Sequence, residues 1–259
     1  MKTTRVNRPP RTTGALRRTK AGRPRTMTVK PASTRRSGPL DEEGIYERLV
    51  AAIFEHRLPP GTKLGEEGLA AIFGVTRARI RAVLPRLAHE GLVTLEPNRG
   101  AFVTQPTVEQ ARDLFEARRL IEPGIATRLA KQPDRSAAVA RLRQHVSAER
   151  KARAAGDARA IVRLSGEFHM LLAELSGNAL LAKSMRELAL LTCLTIALYD
   201  RPAKPSCLGE EHGEITDAIA AGDARRVAAL MVEHLSHVEQ ELDLSMGVDV
   251  PVDLASALA

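Results

Sequence analysis

Residues 74 to 87, Gly-Val-Thr-Arg-Ala-Arg-Ile-Arg-Ala-Val-Leu-Pro-Arg-Leu, restrict the fold of this chain more than any other stretch. A glycine fit for a tight turn precedes a hydroxyl residue, Thr76, at a helix start. Ile80, Val83, Leu84 and Leu87 then recur at helical spacing, while Arg77, Arg79, Arg81 and Arg86 take the polar positions. Such a helix can bury one face and offer guanidinium forks to nucleic acid on the other. The second helix of a helix-turn-helix has the same requirement. Pro85 is the awkward member, because it removes a backbone donor inside the helix and tends to kink it.

The flanking sequence supplies the rest of such a domain. Asp41, Glu42 and Glu43 suit a helix N-terminus. The stripe Ile45, Leu49, Ile53, Phe54 follows and ends near His56, and Pro59-Pro60-Gly61 breaks the chain. A short helix is expected over about 66–73, stopped by Gly74, and the arginine helix over about 77–90. Leu92 to Leu95 and Ala101 to Thr104 flank Pro97-Asn98-Arg99-Gly100, which predicts a β-hairpin. Three helices and a hairpin make a winged helix-turn-helix over 40–104.

Charge divides the chain again. Of 39 Lys and Arg, 12 fall in residues 1–39, which contain no Asp or Glu; the remaining 27 face 31 acidic residues, a net of −4. Positive charge therefore belongs to a basic segment, rich in Pro, Thr, Gly and Ser, expected to be disordered. Within it Lys20-Ala21-Gly22-Arg23-Pro24-Arg25 has a Gly-Arg-Pro core similar to an AT-hook. Alternatively the segment adds only sequence-blind attraction to DNA, or Met27 is the true start.

Beyond Gln105-Pro106-Thr107, which reads as a linker, the sequence is almost all helix former. About six helices are expected, near 107–131, 135–155, 157–176, 179–200, 207–221 and 224–244, forming an all-helical effector-binding and dimerisation domain over 105–245. The fourth is apolar on most sides and is expected at the buried centre of the bundle. The last dozen residues offer no evident anchor, so 246–259 reads as a tail. The fold class is mainly α. No apolar run is long enough to span a bilayer, and Cys193 and Cys207 match no metal or redox motif. A cytoplasmic, nucleoid-associated protein is the expectation.

Two sets of residues carry a family resemblance. The first is Pro60-Gly61-Thr62-Lys63-Leu64, Leu69-Ala70, Gly74-Val75-Thr76-Arg77, Arg81, Leu84, Leu87, Gly91-Leu92-Val93 and Asn98-Arg99-Gly100. The second is Glu116-Ala117-Arg118, Glu122, Phe168-His169, Gly177-Asn178, His212, Ala218-Ile219, Gly222-Asp223, Met231 and His234-Leu235. Together they resemble GntR-family transcription factors of the FadR type, with an all-helical effector-binding (FCD) domain. The resemblance implies that Thr76 and Arg77 meet phosphate at the helix N-terminus. It also implies that Arg81 reads guanine, that Arg79 meets base or phosphate, and that Arg99 and Gly100 approach the minor groove at the wing tip. Members often carry an Arg where this chain has Glu67, so that contact is expected to be lost.

Three of the seven histidines stand out by position. His212 precedes Gly222 by ten residues and His234 follows Asp223 by eleven. In an antiparallel helical hairpin turning at Gly222-Asp223, a rise of about 1.5 Å per residue brings both to one level. Both lie on inward stripes, and His169 borders the stripe of its own helix. Three neutral imidazoles converging in a bundle suit a divalent transition metal, zinc or nickel-like. The resemblance adds an Asp four residues before His169 as a metal ligand, but this chain has Ser165. Either metal binds the three histidines with water, or the site takes an anionic effector without metal. Arg118 matches an arginine that faces an effector carboxylate; its alternative is a salt bridge to Glu122.

The expected function is a homodimeric, sequence-specific regulator, a repressor rather than an activator. It would bind a palindromic double-stranded DNA operator under control of a small carboxylate meeting Arg118, Ser165 and the histidines. A metal-dependent hydrolase-like enzyme and an effector-less architectural DNA-binding protein are the alternatives.

Overall fold

A computed structural model describes residues 40–199, 210–244 and 254–258. The basic segment with its AT-hook-like motif, Met27 and Cys207 lie outside the described residues. Asp41 caps α1 (Glu42–Phe54), its side chain accepting from the Gly44 amide at 2.9 Å. Gly74, in the left-handed region at φ 64°, ends α2 (Glu66–Phe73) and turns the chain into α3 (Arg77–His89). Pro85 is exposed and α3 runs on through it, so the carbonyl deprived of a partner faces water, which limits the cost.

Strands β1 (Val93–Glu96) and β2 (Gly100–Val103) pair antiparallel, Val93 opposite Val103 and Glu96 opposite Gly100. The hairpin sits one residue away from the expected bounds at each strand, because Leu92 is spent on a buried turn whose amide bonds Leu87. Asn98 takes φ 61° and Gly100 φ 105° around a three-residue loop, a conformation Asn and Gly tolerate. Residues 61–64, at and beyond the expected break at Pro59-Pro60-Gly61, were not expected to take part in the sheet. They form a third edge: Val103 donates to Thr62 at 2.8 Å and Leu64 donates to Ala101 at 2.8 Å.

The capping box of Thr107 and Gln110 opens α4 (Val108–Ala130), which continues through Pro123. Then come α5 (Ser136–Ala154), α6 (Ala158–Leu175), α7 (Ala179–Tyr199), α8 (Glu211–Ala221) and α9 (Ala224–Glu241). Gly222, at φ 73°, ends α8, and Asp223 starts α9 by accepting from the Arg226 amide.

α7 corrects one expectation. It is not simply the middle of the bundle but is shared among three apolar clusters. Met185 and Ala189 join the core made by α4, α5, α6, α8 and α9. Leu190, Cys193 and Leu194 join the core of the winged helix instead. Ile196, Leu198 and Tyr199 pack with Ala111, Phe115 and Val238. Serving several cores explains an apolar character that extends round the helix, and Leu180 at its start is exposed.

A second correction concerns the end of the chain. Residues 254–258 form a short helix, α10 (Leu254–Leu258), packed on α1 and α2. Ala257 and Leu258 are buried in the winged-helix core, and Arg57 donates to the Ala257 carbonyl. Among the described residues no helix is long and apolar enough to cross a membrane.

Candidate functional site

Two groups of side chains invite a functional reading. The first is the polar face of α3. Thr76 is its N-cap residue in extended conformation, with no side-chain cap bond. Arg81 is exposed and holds Glu66, the first residue of α2, with both forks: Nε to Oε1 at 3.0 Å and Nη2 to Oε2 at 2.6 Å. Arg77 lies 3.9 Å from the same carboxylate. Arg79 donates to the Leu40 carbonyl at 3.1 Å. At the wing, Arg99 pairs with Glu96 and lies 5.4 Å from the Phe102 ring, with Lys63 at 5.9 Å from that ring. Lys63, in the third edge, was not among the expected contacts; its place on the wing became visible only once that edge was.

Arg86 differs from its neighbours. It grips Glu43 at 2.6 and 3.2 Å and lies 3.6 Å over the Tyr46 ring. Tyr46 donates to Glu90 at 2.5 Å and accepts from Arg186 of α7 at 2.8 Å. Burial first, and then the Glu90 bond, push the Tyr46 hydroxyl up to about 12. Arg86 therefore stitches α3 to α1, leaving Arg77, Arg79 and Arg81 as the face toward solvent.

The second group is buried. His169 of α6, His212 of α8 and His234 of α9 converge, their ligand atoms all within 4.8 Å of one another. Nε2 of His234 is 3.3 Å from Nε2 of His212 and 3.3 Å from Nε2 of His169. Phe168 stacks on His212 at 3.9 Å. Each Nδ1 faces a carboxylate: His169 to Glu122 at 2.5 Å, His212 to Glu149 at 2.8 Å, His234 to Glu211 at 2.6 Å. Glu122 and Glu211 are held below the usual carboxylate range and, ionised, only accept, so Nδ1 of His169 and of His234 carries the proton and their Nε2 atoms turn lone pairs inward.

Electrostatics agree with that assignment. Burial drives His169 down to about 3 and His212 well below the ordinary imidazole range. Although burial opposes it, the Arg118 guanidinium and then His169 hold the Glu122 carboxyl far below its usual range. Burial pushes Glu149 up to about 7. The Nε2 lone pairs of His169 and His234 face each other at 3.3 Å and repel, and a cation relieves that repulsion. The donor set thus fits a divalent transition metal held by three imidazole nitrogens with carboxylate support.

Glu149 and Glu211 were not singled out in the sequence as partners of the histidines. The available signal was position: Glu211 is adjacent to His212, and Glu149 lies one turn after His145 on α5. Ser165 is buried one turn before His169, while Glu167 turns away to Arg163 at 2.9 Å.

Arg118 is 2 % exposed. It makes the salt bridge that was the alternative to an effector contact, Nε to Glu122 at 2.5 Å, and a bond from Nη1 to Thr192 Oγ1 at 3.2 Å. Its Nη2 is buried without a hydrogen-bond partner. Glu122 therefore links the arginine to His169. A buried, partly satisfied guanidinium is costly unless something else completes it.

Comparison with known proteins decides what these groups belong to. Residues 42–103 match the model of the bacterial regulatory proteins of the gntR family, and residues 113–237 match the FCD domain. The HTH-type transcriptional regulator LutR of Bacillus subtilis is 30% identical over 207 residues, covering 71% of this chain and 93% of LutR. This chain belongs to the GntR family. The HTH-type transcriptional repressor RspR of Escherichia coli K12 is 27% identical, covering 76% of this chain and 87% of RspR. The crystal structure of a GntR protein from Rhodococcus sp. RHA1 superposes with a TM-score of 0.69 at 25% identity, covering 77% of this chain and 95% of that one. The chain is thus a transcriptional regulator with a winged helix-turn-helix and an FCD domain, not an enzyme. The hydrolase alternative falls with that assignment, because the family and these relatives are regulators.

Proposed function

We propose that this regulator is a homodimeric repressor, acting at the chromosome in the cytoplasm. A small carboxylate in its FCD domain would release it from a palindromic operator. The observation that carries the effector half is the shared carboxylate of Glu122. It joins an arginine with an unpartnered Nη2 to one of three imidazoles whose ring nitrogens converge. His169, His212 and His234 would hold a zinc- or nickel-like ion, which when bound anchors a carboxylate as a Lewis acid. Arg118 then supplies a second anchor for the acid. Ser165, standing where the family resemblance implies an Asp ligand, would leave the metal's remaining positions to water or effector. RspR, whose name marks it as a repressor, supports the sign of regulation.

On the DNA side, Thr76 and Arg77 contact phosphate, Arg79 base or phosphate, and Arg81 guanine, while Arg99 and Gly100 approach the minor groove. Coupling has a physical route in the shared helices. Gly166, next to Ser165, leaves room for Phe54 of α1; a Cβ there would lie 3.0 Å from the Phe54 ring and 3.1 Å from Cys193 Sγ. A shift of α6 or α7 around an effector therefore presses directly on the DNA-binding domain.

The test combines metal analysis of the purified full chain with a thermal-shift screen of small carboxylic acids, with and without chelator. About one metal per chain, and acids that raise Tm only with metal present, are expected. A blank metal analysis together with no acid that shifts Tm overturns the effector reading.

A further inference from the structure

We infer that Glu66 is a positioning residue that aims Arg81 at its base, so that an acid beside the DNA sharpens sequence reading at some expense in affinity. This inference rests on the reading of Arg81 as a guanine contact. A guanidinium presents two usable edges. Its side edge, Nε and Nη2, is taken by the two oxygens of Glu66 at 3.0 and 2.6 Å. The end edge, formed by Nη1 and the second hydrogen of Nη2, remains open, and it has the forked geometry that meets guanine O6 and N7.

The position of Glu66 in the fold supports this division. Glu66 opens α2 and Arg81 lies in the second turn of α3, so the pair ties the two helices of the helix-turn-helix together. A carboxylate in the first turn of a helix is favoured by the peptide dipoles, which keeps Glu66 ionised and in place when Arg81 turns to DNA. Hydrogen bonding from Arg81 first, opposed by slight desolvation, holds the carboxyl below its ordinary range. An exposed arginine otherwise samples many rotamers. Bidentate pairing removes part of that freedom before DNA arrives, which favours the one base edge that fits the fixed fork.

The same carboxylate repels phosphate. Glu66 also sits 3.9 Å from Arg77, neutralising part of a face that would otherwise attract any DNA. Its neighbour Glu67 is exposed and bears the same charge but holds no arginine of the reading face in a hydrogen bond. The two glutamates thus make a matched pair for separating charge from aim.

The experiment starts with a randomised-duplex library, from which the wild-type full chain selects a preferred duplex. Binding is then measured on that duplex, on versions with each G·C pair changed to A·T, and on a random-sequence duplex. Arg81→Ala is expected to lose roughly 10–100-fold of discrimination at one G·C pair. At that same pair Glu66→Gln is expected to lose about 3–10-fold, while its binding to random duplex rises a few-fold. Glu67→Gln should raise binding to every duplex alike and leave discrimination unchanged. If Glu66→Gln behaves like Glu67→Gln, the positioning role is overturned and the reading of Arg81 stands. If Arg81→Ala leaves every base preference at its wild-type value, the reading of Arg81 fails and the inference falls with it. Unchanged melting curves for the variants exclude unfolding as the cause.

Discussion

The reading face of α3 and the histidine centre use the same chemistry, a cationic or imidazole donor set against a glutamate, in opposite surroundings. On α3 the pairs stand in water: the side chain of Arg81 is 67% exposed and that of Glu66 28%. Such pairs contribute little to stability and can exchange partners. In the FCD domain the chain Arg118, Glu122, His169 is almost wholly out of water, with side chains 1–4% exposed. There the pairing fixes geometry, because breaking it strands a charge. The lesson is that solvent, more than residue type, decides whether a glutamate beside a donor is an exchangeable partner or a structural strut.

The sharpest way to break the comparison is Glu122→Ala. It leaves the Arg118 guanidinium buried without its carboxylate and frees His169 to turn. A loss of about 3–5 kcal/mol in chemical denaturation is expected, together with weaker uptake of added zinc if the proposed metal centre holds; a loss under about 1 kcal/mol would remove the strut from the comparison. Arg81→Ala should do the reverse, holding stability within about 0.5 kcal/mol while operator discrimination collapses. Denaturation and binding titrations on one preparation decide this.

The third prediction concerns pH. His56, at φ 55°, donates from Nε2 to the Cys193 carbonyl at 3.1 Å, because a carbonyl only accepts, and burial lowers its pKa from the ordinary imidazole range. A lowered folded-state pKa means that the unfolded chain takes up the proton first as pH falls. Stability is therefore greatest above about pH 6.5 and declines through the window below it. His169 and His212 act with the same sign. His56→Asn, which tolerates that backbone, should flatten the fall of Tm between about pH 7 and pH 5; an unchanged slope would show that His56 contributes none of it. The smallest effect is expected from Arg86→Ala, about 1 kcal/mol from an exposed pair and a ring contact. Its discrimination among duplexes should stay at the wild-type level, and a relaxed base preference would return Arg86 to the reading face.

Much of this was legible in the sequence wherever a periodic pattern or a turn residue carried the signal. The helices from α1 to α9 followed from apolar spacing and glycine stops. The meeting of His212 and His234 followed from equal distances to Gly222-Asp223. What stayed hidden depended on contacts between distant segments. The edge at 61–64 has too few residues to show alternation, and it exists because β2 offers it unpaired backbone. Glu149 reaches His212 across 63 positions, and nothing in the local pattern marks it apart from any other helical glutamate. α7 read as apolar on most sides, but the pattern could not say that its faces serve different cores.

The seat of α10 has a consequence for the order in which the protein matures. Arg57 and Ala257 are 200 positions apart, yet they close the same core. At synthesis rates of roughly 5–20 residues per second, about 10–40 s separate their appearance on the ribosome. The DNA-binding domain is made first but finished last. A nascent chain therefore cannot seat Ala257 and Leu258 in that core before its FCD domain has been made.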